Sequence, residues 1–259
     1  MLDVAELIVQ NRPLEYQMKI SVKLFGCGSC VAPNAWCTTV NPTPYRLYYV
    51  RNGDAYFRLS NGEFKLKHGH FYLFPSSLPF LIRQDSLNRL DHLFYDFIMT
   101  PTVISSEPIC VSLDDHPLFS HFLTIMTETV EDWLEQESSD SFDTVCHTLE
   151  AFLSILFTVK PVRIPSDDAV IRTIEYMESH ISERVNIKEI ADSLYLSEDY
   201  LIRKFKKVTG LTPYAYLSRL RLSVAQSLID NGVSLKDAAE QTGFQYSSSL
   251  IHSLKKHGK

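Results

Sequence analysis

The sequence predicts an α+β protein in two parts: a β-rich N-terminal part closed by a pair of helices, then an all-α C-terminal part. Three observations predict it. Between about Met18 and Met99, short β-prone runs alternate with Gly, Asn and Pro, which argues for an antiparallel barrel or sandwich. From His116 onward, apolar residues recur at helical spacing. Between two such helical stretches, Lys160-Pro161-Val162-Arg163-Ile164-Pro165-Ser166 interrupts the periodicity with two prolines.

Each strand has its own signal. Residues 45–50 (YRLYYV) are β-prone, Asn52-Gly53-Asp54 is a turn, and residues 55–59 (AYFRL) return. Asn61-Gly62 turns again into residues 63–66, and residues 71–75 and 92–98 follow. His68-Gly69-His70 sits between two of these strands. An HxH pair can ligate a metal, but no Glu follows at short range, and of the later histidines only His92 falls on a strand of this part. The turn reading is preferred, with no metal and no cofactor expected. Cys27-Gly28-Ser29-Cys30, with Cys37 nearby, lacks the second CxxC of a zinc site and the strand-to-helix context of a redox motif. Five cysteines are therefore read as free structural thiols.

Two helices come next. Phe119, Phe122, Leu123, Met126, Val130, Trp133 and Leu134 make one stripe, and Phe142, Val145, Cys146, Leu149, Phe152, Leu153 and Leu156 the other. A polar break at residues 135–140 makes the pair an αα-hairpin. Its wide apolar faces suit either cover for the strands or a partner. The expected organisation is a β domain over 1–115, a hairpin over 116–160, a linker over 161–168 and a helical domain over 169–259.

Composition fits a soluble globular chain, 45% hydrophobic and 22% charged, and no apolar run reaches the roughly 18 residues of a spanning helix. The start, MLDVAELIVQNR, carries acids early and no basic n-region, so a cytoplasmic protein without membrane contact is expected. Charge is split unevenly. Residues 1–165 hold 12 basic and 19 acidic side chains, and residues 166–259 hold 13 and 12, so the net −6 does not argue against a polyanionic partner for the second half.

That half is organised around residues 186–213. Asn186 caps a short helix, with Glu189 placed for a capping box, and Ile187, Ile190, Ala191 and Leu194 form its apolar face. Ser197 caps the next helix, with Glu198 and Asp199 in its first turn. Leu201, Phe205 and Val208 supply its buried stripe, Arg203, Lys204, Lys206 and Lys207 its basic turns, and Gly210 its stop. This is a helix-turn-helix pattern. From Tyr200 to Ile229 there are six Lys or Arg and no acid, a surface suited to phosphates. Thr212-Pro213 then opens a longer helix along Leu217, Leu220, Val224 and Leu228, ended by Asn231-Gly232.

The run Ser197…Tyr200-Leu201-x-Arg203-x-Phe205-Lys206…Gly210-x-Thr212-Pro213…Tyr216…Arg221-Leu222…Ala225 resembles the signature of AraC-type transcriptional regulators, over roughly residues 168–256. The resemblance implies two helix-turn-helix units joined by a long helix, each with its second helix in a major groove. It also implies a cupin-like barrel before them and a hairpin used for homodimerisation, here through Phe119, Phe122, Met126, Trp133 and Phe152. Base-reading positions would be Glu198, Asp199, Ile202 and Arg203, then Ser247, Ser248, Ile251 and His252. Arg203 can pair with guanine bidentately and Ile202 can pack on a thymine methyl. Lys204, Lys206, Lys207, Lys255 and Lys256 suit phosphates.

The second unit departs from the pattern. Ser234 caps its first helix, Ala238 and Ala239 match Ile190 and Ala191, and Gly243-Phe244 is its turn. Tyr246 then stands where Ser197 stands, His252 replaces the Arg, and the chain ends before the expected closing Gly-x-Ser-Pro segment. The function expected is sequence-specific binding of double-stranded DNA to regulate transcription, with a small-molecule effector and, for an activator, RNA polymerase as further partners. The alternatives are an AraC-like protein with weakened DNA binding that acts through a protein partner, and a metal-dependent cupin enzyme. The missing Glu disfavours the enzyme.

Overall fold

The computed structural model describes residues 20–33, 37–40, 44–75, 78, 80–103, 105, 107–162 and 167–257, the side chains of 37–40 and 256–257 excepted. Among the described residues, nine strands come first: β1 (Ser21–Val31), β2 (Cys37–Val40), β3 (Tyr45–Asn52), β4 (Ala55–Leu59), β5 (Gly62–Lys65), β6 (His70–Phe74), β7 (Phe80–Gln84), β8 (Asp91–Thr100) and β9 (Ile109–Ser112). They form two antiparallel sheets, ordered β1-β8-β3-β6-β9 and β2-β7-β4-β5. No described strand of one sheet is hydrogen-bonded to the other, so the barrel that the resemblance implied is not closed. The two sheets face each other as a sandwich. Aromatic side chains bring them together by their faces: Phe74 of one sheet stacks on Phe80 of the other at 4.3 Å.

Period-two alternation sorts the five-stranded sheet into two surfaces. Tyr48, Val50, Tyr72 and Phe74 point toward Phe57, Phe80 and Ile82 of the second sheet. Tyr45, Leu47, Tyr49, Phe71, Leu73, Leu93, Tyr95 and Phe97 point the other way, onto two helices, α1 (Leu118–Gln136) and α2 (Ser139–Val159). Phe71 meets Phe152 at 4.5 Å, and the Tyr95 hydroxyl donates to the Met126 carbonyl at 3.0 Å. The hairpin therefore covers the sheet. α2 has the length and apolarity to cross a membrane, but Val145, Leu149, Phe152, Leu153, Leu156 and Phe157 are buried as in a core helix.

This placement decides what the five proposed dimer residues do within one chain. Phe119, Met126 and Phe152 are fully buried in the protomer, and Phe122 and Trp133 are half-buried against the same core. The large apolar side chains that α1 leaves exposed are Leu118, Ile125 and Leu134.

The two N-terminal motifs sit in ordinary strand and turn positions, and the Cys37 side chain lies outside the described residues. His68 and Gly69 make the turn into β6, with a His68 ring nitrogen 2.8 Å from the Gly53 carbonyl, and among the described residues no group of three His, Cys, Asp or Glu converges. His92 is buried, which pushes its pKa down to about 4. Cys27 and Cys30 lie on the same strand but in different settings. Cys27 is buried in the core, and burial pushes its thiol up to about 12, while Cys30 is exposed.

The helical half comprises α3 (Asp168–Ser179), α4 (Ile187–Ser193), α5 (Glu198–Thr209), α6 (Pro213–Asp230), α7 (Leu235–Gln241) and α8 (Ser247–His257). The proposed linker falls largely on residues 163–166, outside the described ones. Beyond the reach of the second sheet, the sandwich-side surface of β1, β3 and β8 is covered by this half. Ile98 joins its core, and Phe25 packs on it. The Ser227 hydroxyl of α6 donates to Asp96 at 2.7 Å, and Asp96 pairs with Arg46 at 3.1 Å. Burial raises the Asp96 carboxyl, against the pull of Arg46 and Ser227. Nearby, Glu178 of α3 is 1% exposed, with the Thr102 hydroxyl 3.5 Å away and Tyr216 as a further partner.

Candidate nucleic-acid interface

The first unit is built as its caps dictate. The Asn186 side chain accepts from the Lys188 amide at 3.1 Å, and its own amide donates to Glu189, so Glu189 meets the cap's side chain. Ser197 accepts from the Tyr200 amide at 3.3 Å and starts α5, and Gly210 ends it at φ 78° with its N–H on the Lys206 carbonyl. Glu198 and Asp199 in the first turn and Lys206 and Lys207 in the last both complement the helix dipole. Ile187, Ile190, Ala191, Leu201 and Phe205 are buried, with Phe205 edge-on to Tyr216 of α6 at 5.5 Å.

Burying Leu201 and Phe205 turns the opposite face of α5 outward. Asp199, Arg203, Lys206 and Lys207 are exposed there, Ile202 is half-buried, and Glu198 accepts from the Tyr214 hydroxyl at 3.4 Å. Lys204 points elsewhere. It forms an ion pair with Asp167 at 3.1 Å and lies over the Tyr200 ring, and the hydrogen bond to Asp167 raises its pKa. Arg221, counted in the acid-free run, also turns inward, its guanidinium donating to the Ile181 and Glu183 carbonyls. Of the six cations, Arg203, Lys206 and Lys207 therefore form the exposed basic face of α5.

The second unit repeats the turn. The Leu196 amide donates to the Ala191 carbonyl and the Phe244 amide to the Ala239 carbonyl, both at 2.9 Å. The residues before them, Tyr195 and Gly243, are both left-handed, at φ 57° and 72°. Ala238, Ala239 and Leu250 are buried. Ser248, Ile251, His252 and Lys255 are exposed on α8, Ser247 is half-buried, and the Lys256 side chain lies outside the described residues. At the start of α8 the Ser249 and Leu250 amides reach the Tyr246 carbonyl, while the Tyr246 side chain is 61% exposed. A phenol there offers no short oxygen to cap the helix.

Periodicity and charge counting did not single out Asp167, Tyr195 or Arg221. For Arg221 a signal existed: an arginine on the half-buried side of an amphipathic helix must donate to something nearby.

Known proteins agree with this geometry. Residues 190–258 match the family described as a helix-turn-helix domain. The chain is 26% identical over 216 residues to an uncharacterised HTH-type transcriptional regulator, YbfI, of Bacillus subtilis, covering 80% of this chain and 78% of that one. It is 40% identical over 83 residues to the HTH-type transcriptional activator RhaS of Shigella boydii, covering 30% of each. It spans 58% of an uncharacterised response regulatory protein of Staphylococcus epidermidis, at 25% identity. Among solved structures, an apo variant of ToxT from Vibrio cholerae superposes with a TM-score of 0.60 over 93% of this chain and 94% of that one, at 14% identity. That likeness shows a shared fold.

Proposed function

We propose that the chain, whose residues 190–258 match a helix-turn-helix domain, is an AraC-type regulator that binds double-stranded DNA sequence-specifically to regulate transcription. One observation supports this most: Arg203, Lys206 and Lys207 stand exposed on a helix whose other face is buried, and a second unit repeats the turn beside it. Arg203 reads a base, flanked by Glu198, Asp199 and Ile202, and Lys206 and Lys207 hold phosphates. Ser247, Ser248, Ile251 and His252 serve in the second unit, with Lys255 and Lys256 on phosphates. Lys204 joins them only by leaving Asp167. Selection of fragments from random DNA, followed by mobility shifts at several salt concentrations, tests the reading. Strong salt dependence is expected, and failure to enrich any sequence would overturn it.

The N-terminal sheets serve as a sensor in this reading. A ToxT structure holds an unsaturated fatty acid, and here a hollow of about 430 Å³ opens between β3 and α1, lined by Tyr49, Arg51, Leu123, Thr124, Thr127 and Glu128. A small-molecule effector seated there would act on α6 through β3 and β8, whose Arg46 and Asp96 hold Ser227. A homodimer would form through the outer face of α1, where Leu118 and Ile125 lie two turns apart, with Phe122 and Trp133 beside them. Sedimentation of the full chain at micromolar concentration tests this, and a monomer would reject it. RNA polymerase becomes a partner if the protein activates, as RhaS is named for doing. The rival reading, action through a protein partner with weakened DNA binding, draws on Tyr246 at the start of α8 and on His252.

A further inference from the structure

The two units meet at one joint. The three residues 181–183, between α3 and α4, present successive carbonyls to two visitors. Arg221, midway along α6, donates through Nε to the Ile181 carbonyl at 2.8 Å and through Nη2 to the Glu183 carbonyl. The turn of the second unit lies over the same carbonyls. A Cβ on Gly243 would stand 2.9 Å from the Ile181 and Ser182 oxygens and 3.1 Å from Arg221 Cζ. Real side chains do not fit at such distances, so the second unit is seated against the entry to the first.

The molecule contains its own control. Tyr195 takes the equivalent left-handed position in the first unit, at φ 57°, and is 96% exposed. A side chain is therefore tolerated by that turn conformation when nothing lies over it. Close approach to residues 181–182 is the further demand on Gly243. Arg221 supplies the other half of the joint. Its fork satisfies two carbonyls in the connection that follows α3.

We propose that Arg221 is a positioning residue which, with Gly243, locks the two helix-turn-helix units into one rigid reader, so that the protein measures the spacing between the two DNA half-sites. Arg221 is not part of the apolar core: Ile190, Ala191, Leu201 and Phe205 of the first unit and Ala238, Ala239 and Leu250 of the second lie in one shared buried cluster. Besides the joint, α6 and that shared core connect the units. The proposal rests on the DNA-reading assignment above, so its test has one arm that needs DNA and one that does not.

In the first arm, the full chain is bound to its best selected fragment and to versions with one or two base pairs inserted between the half-sites. Wild type should lose about tenfold or more in affinity on insertion, comparable to a mismatched base pair. Arg221→Ala should bind the native spacing more weakly but lose only a few-fold on insertion, with Arg221→Lys intermediate and Gly243→Ala similar to Arg221→Ala. Equal insertion penalties in wild type and in a folded Arg221→Ala would overturn the proposal, since a merely structural role lowers affinity at every spacing alike. In the second arm, hydrogen exchange is compared without DNA. Faster exchange in residues 180–186 and 242–246 of Arg221→Ala, with the centres of α5 and α6 unchanged, is expected. Unchanged exchange at the joint would overturn the lock. If wild type enriches no DNA, the DNA reading fails and the second arm still decides the joint.

Discussion

In both helix-turn-helix units the chain leaves the first helix through a left-handed residue, and the amide of the following residue donates back to an alanine carbonyl, yet the two turns end in different surroundings. Tyr195 projects into solvent, and Ser197 then caps a helix carrying three exposed cations. Gly243 is pressed against residues 181–182, and Tyr246 then starts a helix with no short side-chain oxygen to cap it. The first unit presents a basic face, while the second, packed against residues 181–182, presents serines, an isoleucine and a histidine. In the proposed function, docking and DNA reading are divided unequally between them, and the difference can be tested from several sides.

The largest effects concern the cores, where the units should behave alike. Phe205→Ala should cost about 3–5 kcal/mol and Leu250→Ala about 2–5 kcal/mol, measured by urea denaturation, because both side chains are fully buried. A negligible cost at Leu250 would mean that the second unit is not packed as described.

Next comes the seat of both units on the sheets. Burial first, and then the neighbouring Glu175 carboxylate, raise Glu178 from its ordinary 4.5 to about 8, while Thr102 and Tyr216 oppose the rise. A carboxyl raised in the folded state keeps its proton there while the unfolded chain has lost it. Stability should therefore be full below pH 4.5, fall as pH rises through the interval to about 8, and level off above it. The slope is at most about 1.4 kcal/mol per pH unit. Melting temperatures across that range check it, and Glu178→Gln should flatten the profile.

Arg203→Ala should cost about 1–3 kcal/mol of binding and relax preference at one base pair, whereas Lys206→Ala should weaken all sequences alike. Smaller again is the cap. Ser197→Ala should cost about 1 kcal/mol of stability, and Tyr246→Ser should recover a fraction of that in the second unit. Thermal melts of the two variants sharpen the comparison. No gain from Tyr246→Ser would mean that α8 is already satisfied.

How much of this was legible beforehand follows from what each signal can encode. Asn-Gly and Gly turns bracketed β3 through β6, and Ser197, Gly210 and Thr212 marked helix ends, because turns and caps are local chemistry. β1, the longest strand, left no such mark. It carries Gly26 and Gly28 where its neighbours need room: a Cβ on Gly26 would strike the Asn231 side chain, and one on Gly28 the Phe94 ring. Helical periodicity found Phe119, Met126 and Phe152 as a buried stripe but cannot say which body buries it. Here the sheet of the same chain does. Charge counting put Lys204 and Arg221 together in the acid-free run, and of the two Lys204 was assigned to phosphates. Their partners, Asp167 and residues 181–183, lie 37 and about 40 positions away in sequence, beyond any local pattern.

The central claim is that the first unit carries most of the discrimination, and one measurement tests it most directly. Affinities of the full chain are determined for a set of single-base variants of its best selected operator, covering both half-sites at fixed salt. Penalties of about 1–3 kcal/mol are expected for bases in the half-site read by Arg203, and appreciably smaller ones a helical turn away. Equal penalties in the two half-sites would contradict it, showing that Ser247, Ser248, Ile251 and His252 read DNA as fully as the first unit does.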